Sequence, residues 1–362
     1  MSLSQIIQDK IEATGPISIA DYMELALAHP EYGYYTTNEP FGTDGDFITA
    51  PEISQIFGEL LGLWCVDMWQ RMEGGPIALV ELGPGRGTLM QDILRATRNM
   101  GDFHDHLTIH MVESSPKLST IQYQRLRNEH PRIEWIDRFE QVPKNKPALV
   151  IANEFFDALP IKQHVKTPDG IQERLVGYND EADEFEFVLG NAGLSLAKGG
   201  GVMKDGTIIE SCPLAKQITG EIAAHINAQG GAGLFIDYGY LGDAHQDTLQ
   251  AVRNHAFAPV LKDPGKADIT AHVDFRTLME VAENQGVVAH GTISQGTFLL
   301  RLGAEVRAEK LLRTASPEQA EYILTGIKRL ISPHEMGELF KVMSICSNHA
   351  LVPAGFSHVS YE

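Results

Sequence analysis

The sequence predicts an α/β fold built on a doubly wound, mostly parallel sheet. From Pro76 onward, short apolar runs alternate with stretches of helical periodicity. Runs this short and this uniformly apolar are typical of parallel strands that helices cover on both faces. A glycine-rich turn joins the first run to the next helix, as in ligand-binding βα units. The predicted strands are IALVEL (77–82), LTIHMVE (107–113), ALVIAN (148–153) and GLFIDY (233–238).

Residues 1–75 precede these strands and are predicted to be helical around one long loop. Helical spacing covers 17–28, and the loop over 29–52 is rich in Gly, Pro, Asn and Asp yet contains five aromatic residues. A loop of this length is usually functional or disordered, and aromatic content argues against disorder. Residues 49–52 (TAPE) then fit a capping box, which predicts that a helix of roughly 20 residues begins there.

Three further segments complete the predicted organisation. Residues 161–212 alternate as strands do and are expected to form a β-rich insertion. The runs at 286–294 and 296–303 are close enough to pair as a hairpin, and the last 60 residues look helical. The predicted regions are a helical N-terminal region (1–75), a core (76–303) and a helical C-terminal region (304–362).

Composition argues against several functional classes. The 362 residues include 29 Lys+Arg and 48 Asp+Glu, a net charge of −19, whereas nucleic-acid readers usually carry a basic excess. No apolar run approaches the roughly 20 residues that span a bilayer, and the N-terminal residues resemble neither a signal nor a transit peptide. The three cysteines lie far apart and predict neither a disulfide framework nor a metal site. We expect a cytoplasmic protein that binds no nucleic acid and does not insert into a membrane; its oligomeric state is open.

The strongest local signal is ELGPGRGT (81–88), directly after the first predicted strand. Glycines here let the backbone approach a ligand, and the next helix offers free N–H groups. The acid before the glycines would repel a pyrophosphate but suits the cationic amino group of S-adenosylmethionine, directly or through water. The alternative is a purely structural turn from strand to helix. The candidate cofactor-binding residues of this segment are Glu81, Gly83, Pro84, Gly85, Gly87 and Thr88.

Two acids downstream extend this candidate site. Glu113 ends the second predicted strand, 26 residues after Gly87, or about one helix and one strand. A carboxylate at that strand end can accept hydrogen bonds from both ribose hydroxyls of an adenosyl cofactor. Asp137 follows the next strand region, where adenine would lie, although a helix or turn cap explains it equally well.

Polar residues at the end of the third predicted strand are the candidate catalytic groups. Ligands of open α/β sheets bind outside the carboxyl ends of the strands, so Asn153 and Glu154 should face the reacting centre. A carboxylate at Glu154 could pair with a guanidinium and orient its planar nitrogen. Asp157 and Asp237 border the same crevice, and Asn153 or Asp157 could instead cap the next helix.

Five segments together resemble the MidA-like family of class I S-adenosylmethionine-dependent methyltransferases. The resemblance covers nearly the whole chain and implies a seven-stranded, Rossmann-like sheet, an N-terminal region over the cofactor, and methylation of protein arginine. It also implies a link, in the mitochondrial branch, to an arginine of a respiratory complex I subunit; without a transit peptide, this chain resembles a bacterial member. The segments are GDFITAPEISQIFGE (45–59), ELGPGRGTL (81–89), ANEFFDALP (152–160), IDYG (236–239) and PGKADITAHVDF (264–275).

Three hypotheses about function remain at this point. The leading one is a protein arginine N-methyltransferase, and its acidic charge suits a basic acceptor. The second is an assembly chaperone that retains the cofactor fold without turnover, and the third is a small-molecule N- or O-methyltransferase. For the methyltransferase, we predict that the loop over 42–51 closes over the cofactor, with Asp46 and Phe47 in contact with it.

Overall fold

The computed structural model describes residues 1–37, 49–194, 203–242, 246–347 and 351–356, with the backbone alone for 191–194. The chain divides into two compact units. Unit 1 comprises Met1–Phe47, Asp157–Lys216 and Leu241–Asp274, and unit 2 comprises Ile48–Phe156, Gln217–Tyr240 and Phe275–Glu362. The two units do not follow the boundaries of the three predicted regions. The N-terminal residues belong to the same unit as the insertion, and the C-terminal residues belong to the same unit as the core. No helix in the described ranges is long and apolar enough to cross a membrane.

The secondary structure alternates between strands and helices through most of the chain. The helices are α1 (Leu3–Thr14), α2 (Ile19–Ala28), α3 (Tyr34–Thr37), α4 (Ala50–Ile53), α5 (Gln55–Arg71), α6 (Thr88–Thr97), α7 (Phe103–His106), α8 (Pro116–Leu126), α9 (Pro213–Gln229), α10 (Phe275–Asn284), α11 (Gln295–Arg301), α12 (Ala304–Leu312), α13 (Pro317–Ile331) and α14 (Met336–Leu339). The strands are β1 (Ile17–Ser18), β2 (Ile77–Leu82), β3 (Leu107–Val112), β4 (Ile133–Ile136), β5 (Ala148–Asn153), β6 (Lys162–Thr167), β7 (Gly170–Asn179), β8 (Glu184–Leu194), β9 (Ile208–Ser211), β10 (Gly231–Tyr240), β11 (Gln250–Arg253), β12 (Ala256–Ala258), β13 (Asp268–Thr270), β14 (Val273–Asp274), β15 (Val288–Ser294) and β16 (Phe340–Cys346).

Unit 2 is built on the mostly parallel sheet that the sequence predicts. Seven strands follow one another in the order β15-β16-β10-β5-β2-β3-β4. The strands from β10 to β4 are parallel to their neighbours, whereas β16 is antiparallel to both β10 and β15. Every residue of β2 and β5 is buried, as expected for strands covered on both faces. The carboxyl ends of β2, β3 and β5 therefore lie next to one another at one edge of the sheet.

The predicted hairpin near the C-terminus is wrong. Residues 288–294 form β15, but the following apolar run forms the helix α11, whose N-terminus is capped when the Thr297 N–H donates to Ser294 Oγ. A short apolar run does not distinguish a strand from a buried helix, and here Ser294 starts the helix. The partner of β15 is β16, so the C-terminal region predicted to be helical also contributes a strand to this sheet, between β15 and β10.

The predicted capping box is also wrong. Thr49 lies at the N-cap position of α4, but its side chain accepts no helix N–H, and Glu52 does not reach back to it. The helix stops after Ile53, because Ser54 is extended (φ −157°) and its hydroxyl caps α5 by accepting the Ile56 N–H. The expected single helix is thus two helices, one of four residues and one of 17 residues.

Unit 1 has its own sheets and its own apolar core. The predicted β-rich segment forms β6, β7 and β9, which pair with β1 in the order β1-β7-β6-β9, and β8 pairs with β7. A second sheet has the order β12-β11-β13. The N-terminal helix α2 buries Tyr22 and Met23 in this core, and the Tyr22 hydroxyl donates to the Val260 carbonyl at 3.0 Å. The N-terminal helices and the insertion therefore fold around shared apolar residues.

A buried carboxylate joins three helices of unit 2. Glu59 on α5 is 3% exposed. Its Oε2 accepts from Arg307 Nε at 2.6 Å, and its Oε1 accepts from Arg307 Nη2 at 3.0 Å and Arg95 Nη1 at 2.9 Å. Because Arg95 lies on α6 and Arg307 on α12, one carboxylate holds α6 and α12 against α5.

We expect Glu59→Gln to lower the free energy of unfolding by about 2–3 kcal/mol, because the substitution removes the negative partner of a buried ion pair. The loss stays in this range because the two arginines are partly exposed. Burial opposes ionisation of Glu59, but the two arginines outweigh it and hold its pKa below the usual value. The stabilisation is therefore present above the unfolded glutamate pKa of about 4.3 and lost as pH falls through the lower folded pKa. Urea titrations at several pH values measure this, with Asp67→Asn in the exposed Arg71 pair as a control expected to change little.

Candidate active site

The glycine-rich turn between β2 and α6 has a backbone that only glycine adopts easily. Gly83, Gly85 and Gly87 all have positive φ, at 59°, 55° and 78°. A Cβ on Gly83 would lie 2.8 Å from Phe155 Cδ2, and the Gly87 N–H donates to the Pro84 carbonyl at 2.8 Å. The turn is therefore tight and closely packed, and it leads directly into the N-terminus of α6.

Two carboxylates flank this turn on neighbouring parallel strands. Glu81 on β2 is 3% exposed, and its Oε2 has no hydrogen-bond partner among the described residues. Burial, with a contribution from the negative charge of Glu113, raises the pKa of Glu81 to about 8. Glu113, directly after β3, accepts from the Ser115 N–H at 2.8 Å and from Gln122 Nε2 at 3.1 Å, while burial raises its pKa.

These groups fit the two ends of an adenosyl amino acid. A buried carboxylate oxygen without a partner is costly, and a cationic amino group would stabilise it. The Glu113 carboxylate, held by a main-chain N–H and a side-chain amide, is suited to accept from ribose hydroxyls. Both groups lie at the edge of the sheet where open α/β folds bind their ligands.

Thr88 has protein partners that the sequence did not indicate. Its hydroxyl donates to Glu52 Oε1 and accepts from Arg125 Nη1 on α8. Arg125 Nη1 also lies 4.0 Å from Glu52 Oε1. These contacts hold α4, α6 and α8 together beside the glycine-rich turn. The Thr88 hydroxyl therefore bonds to two protein side chains, Glu52 and Arg125.

At the carboxyl end of β5, Asp237 organises the backbone of the turn. Asp237 is fully buried; its Oδ2 accepts from the N–H groups of Phe155 (3.2 Å) and Phe156 (3.0 Å), and its Oδ1 accepts from the Tyr238 N–H at 2.9 Å. Asp237 thus fixes the backbone of the segment that follows Glu154 and acts as a positioning residue.

Glu154 combines a strained backbone with an oriented carboxylate. Its φ is +50°, a conformation that costs a non-glycine residue on the order of 1 kcal/mol and occurs often at functional sites. Its Oε1 accepts from the Ala50 N–H at 2.9 Å and from Asn153 Nδ2 at 3.2 Å. Asn153 Oδ1 is buried and has no hydrogen-bond partner among the described residues. Glu154 therefore binds the first residue of α4, which comes earlier in the chain than the helix that Asn153 or Asp157 was expected to cap.

The other predicted site residues lie in different surroundings. Asp137 is exposed, and its main-chain N–H donates to Gln141 Oε1 at 2.8 Å. Asp157 is buried in unit 1; its carbonyl accepts from the Ala271 N–H at 3.0 Å. Asp46 and Phe47, with most of the predicted covering loop, lie outside the described residues.

Comparisons with known proteins identify the family. The S-adenosyl-L-methionine-dependent methyltransferase family Methyltransf_28 matches residues 60–293. The mitochondrial protein arginine methyltransferase NDUFAF7 of Xenopus laevis is 39% identical over 94% of this chain and 84% of its own. The human protein of that name is 38% identical over 98% of this chain and 89% of its own.

Solved structures give the same result for the fold. A protein from Burkholderia thailandensis, solved with bound S-adenosylhomocysteine, is 27% identical and has a TM-score of 0.83 over 95% of this chain and 91% of its own. A native structure from the same organism is 26% identical with a TM-score of 0.83. The family match, the relatives and the fold agree: this chain belongs to the MidA-like family of S-adenosylmethionine-dependent methyltransferases.

Proposed function

We propose that this protein transfers a methyl group from S-adenosylmethionine to arginine side chains of a protein acceptor. The observation that supports this most directly is the pair of carboxylates beside the glycine-rich turn, the buried Glu81 and the partly buried Glu113, at the ends of neighbouring strands. Relatives named protein arginine methyltransferase match nearly the whole chain, and a similar structure binds S-adenosylhomocysteine. We also infer that the seven-strand path is the class I methyltransferase sheet.

The cofactor, when bound, supplies an electrophilic methyl group on a sulfonium. In this proposal, the Glu81 carboxylate binds the amino group of its methionine end, and Glu113 accepts from the ribose hydroxyls. The positive φ angles at Gly83, Gly85 and Gly87 favour glycine, and because glycine has no side chain the backbone stays open to a ligand. Buried carboxylates interact strongly with a cationic ligand because little water screens them.

Glu154 is proposed to receive the acceptor guanidinium. The Ala50 N–H and Asn153 Nδ2 fix its carboxylate, so an arriving arginine would meet a partner of set orientation. Asp237 maintains that geometry through the backbone of Phe155 and Phe156. The net charge of −19 favours encounter with a basic acceptor. We propose that the protein works in the cytoplasm and that a respiratory complex I subunit is the first acceptor to test.

The function is tested by incubating the purified protein with methyl-labelled S-adenosylmethionine and extracts of host cells that lack the gene. Mass spectrometry of labelled proteins should find methyl groups on arginine, at sites that are unmodified in the deletion strain. Cofactor binding without any transfer would support the chaperone instead. Label found only in small molecules would support the third hypothesis.

The raised pKa of Glu81 predicts a proton linkage in cofactor binding. Below about pH 8 the free protein holds a proton on Glu81, whereas a bound ammonium group favours the carboxylate. We therefore expect S-adenosylhomocysteine to release about one proton at pH 7, and its affinity to rise between pH 6 and 8. Calorimetry in buffers of different ionisation enthalpy measures the released protons.

The Glu81→Gln variant and 5′-methylthioadenosine, which lacks the amino group, are the controls for this linkage. Each should remove the proton release. Affinity for S-adenosylhomocysteine that falls from pH 6 to 8 would contradict the pairing of Glu81 with the amino group.

A further inference from the structure

A buried glutamine on α8 connects three parts of the candidate cofactor site. Gln122 is 0% exposed and belongs to none of the sequence motifs. Its Nε2 donates to the Gly85 carbonyl at 2.8 Å and to Glu113 Oε2 at 3.1 Å. Its Oε1 accepts from Trp135 Nε1 at 3.0 Å. One amide therefore contacts the glycine-rich turn, the acid after β3, and the aromatic ring on β4.

These contacts allow only one orientation of the amide. An indole N–H can only donate, so the oxygen of Gln122 must face Trp135. The two N–H groups then face the Gly85 carbonyl and the Glu113 carboxylate, which can only accept. All the polar atoms of the amide have partners. A buried network that is satisfied in this way holds its members rigidly.

We propose that Gln122 is a positioning residue for the nucleoside end of the cofactor. It holds the Glu113 carboxylate at the angle at which the ribose hydroxyls meet it, and it holds the carbonyl of Gly85 away from the ligand. This inference rests on the proposed cofactor site. A side chain that sets the orientation of a binding group typically changes ligand affinity by 10- to 100-fold in the comparable case of metal ligands.

The test compares Gln122→Met, which keeps the length of the side chain but removes all three hydrogen bonds, with Gln124→Met on the exposed face of the same helix. Calorimetry well below the melting temperature of each variant measures Kd for S-adenosylhomocysteine and for 5′-methylthioadenosine. We expect Gln122→Met to raise both Kd values by about tenfold and by similar factors. Gln124→Met should leave both unchanged.

A double-mutant cycle with Glu113→Ala separates positioning from general stability. If Gln122 acts through Glu113, Gln122→Met should raise Kd much less in the Glu113→Ala background than in the wild type. If Gln122 has only a structural role, Gln122→Met should lower the melting temperature of the free protein and leave Kd unchanged. Alternatively, its effect on Kd should simply add to that of Glu113→Ala. Either of those results would overturn the proposal.

The outcomes also separate this inference from the proposed function. Wild-type protein that binds S-adenosylhomocysteine but methylates no arginine would contradict the function, while the effect of Gln122→Met on Kd would still support the positioning role. Equal Kd values for wild type and Gln122→Met, with arginine methylation intact in both, would overturn the inference alone. Wild-type protein that binds neither ligand would overturn both.

Discussion

Glu154→Gln is expected to lower kcat for arginine methylation on the order of 10²-fold, with the affinity for S-adenosylhomocysteine nearly unchanged. The glutamine keeps the size of the side chain, and its amide oxygen can still accept from the Ala50 N–H, which Glu154 does at 2.9 Å. What the variant loses is the negative charge that would orient a guanidinium. Steady-state kinetics with an identified acceptor peptide, together with calorimetry, measure the two quantities.

A matched control for this variant is Glu283→Gln, an exposed carboxylate on α10. It should leave kcat and Kd as in the wild type. Wild-type kcat in Glu154→Gln would remove the guanidinium role and leave Glu154 as a residue that caps α4. A melting temperature far below that of the wild type would show that the charge contributes to the fold, and Glu154→Asp would then test the charge separately.

Gly85→Val is expected to weaken S-adenosylhomocysteine binding by at least on the order of 10²-fold. With φ at +55°, a β-branched residue at this position is strained, and its side chain would stand where the ligand is proposed to approach the backbone. The same substitution would also disturb the Gly85 carbonyl that accepts from Gln122. Calorimetry on the folded variant measures the loss.

Gly101→Val is the control for backbone strain. Gly101 has nearly the same φ, +60°, and a Cβ there meets nothing within 4 Å. It should therefore show the destabilisation that strain alone produces, with cofactor binding intact. Binding to Gly85→Val as tight as to Gly101→Val would mean that the turn does not contact the ligand.

The strands of the central sheet could be predicted because strands that are buried on both faces are short, nearly uniform runs of apolar residues. IALVEL and ALVIAN became β2 and β5 with the predicted bounds, since both faces of these strands are buried. The run at 296–303 failed because a buried helix and a buried strand have the same apolar content over so few residues. The capping box failed because the Glu52 N–H donates to the Thr49 carbonyl at 2.9 Å, and the Glu52 carboxylate accepts from the distant Thr88 hydroxyl.

Some residues of the candidate site could be identified from the local sequence, and others only from contacts between distant segments. Glu81 and Glu113 could be proposed from spacing because they stand at strand ends next to a recognisable turn. Gln122 and Arg125 could not, because a polar residue on an amphipathic helix gives no signal until the helix is packed. Asp237 could be placed near the site from its strand, but its contacts with the backbone after Glu154 depend on how β10 and β5 pair.

The position of β16 has a consequence for synthesis of the protein on the ribosome. This strand lies between β10 and β15 but follows both in the sequence, so the nascent sheet has two unsatisfied strand edges until residue 346 has left the exit tunnel. Exposed edges of this kind pair readily with other chains. A chain that stops before residue 340 would contain β2 to β5, β10 and β15 without the strand that joins β10 to β15. Such truncated products should be cleared by proteases or chaperones, and β16 should be the strand that closes the sheet.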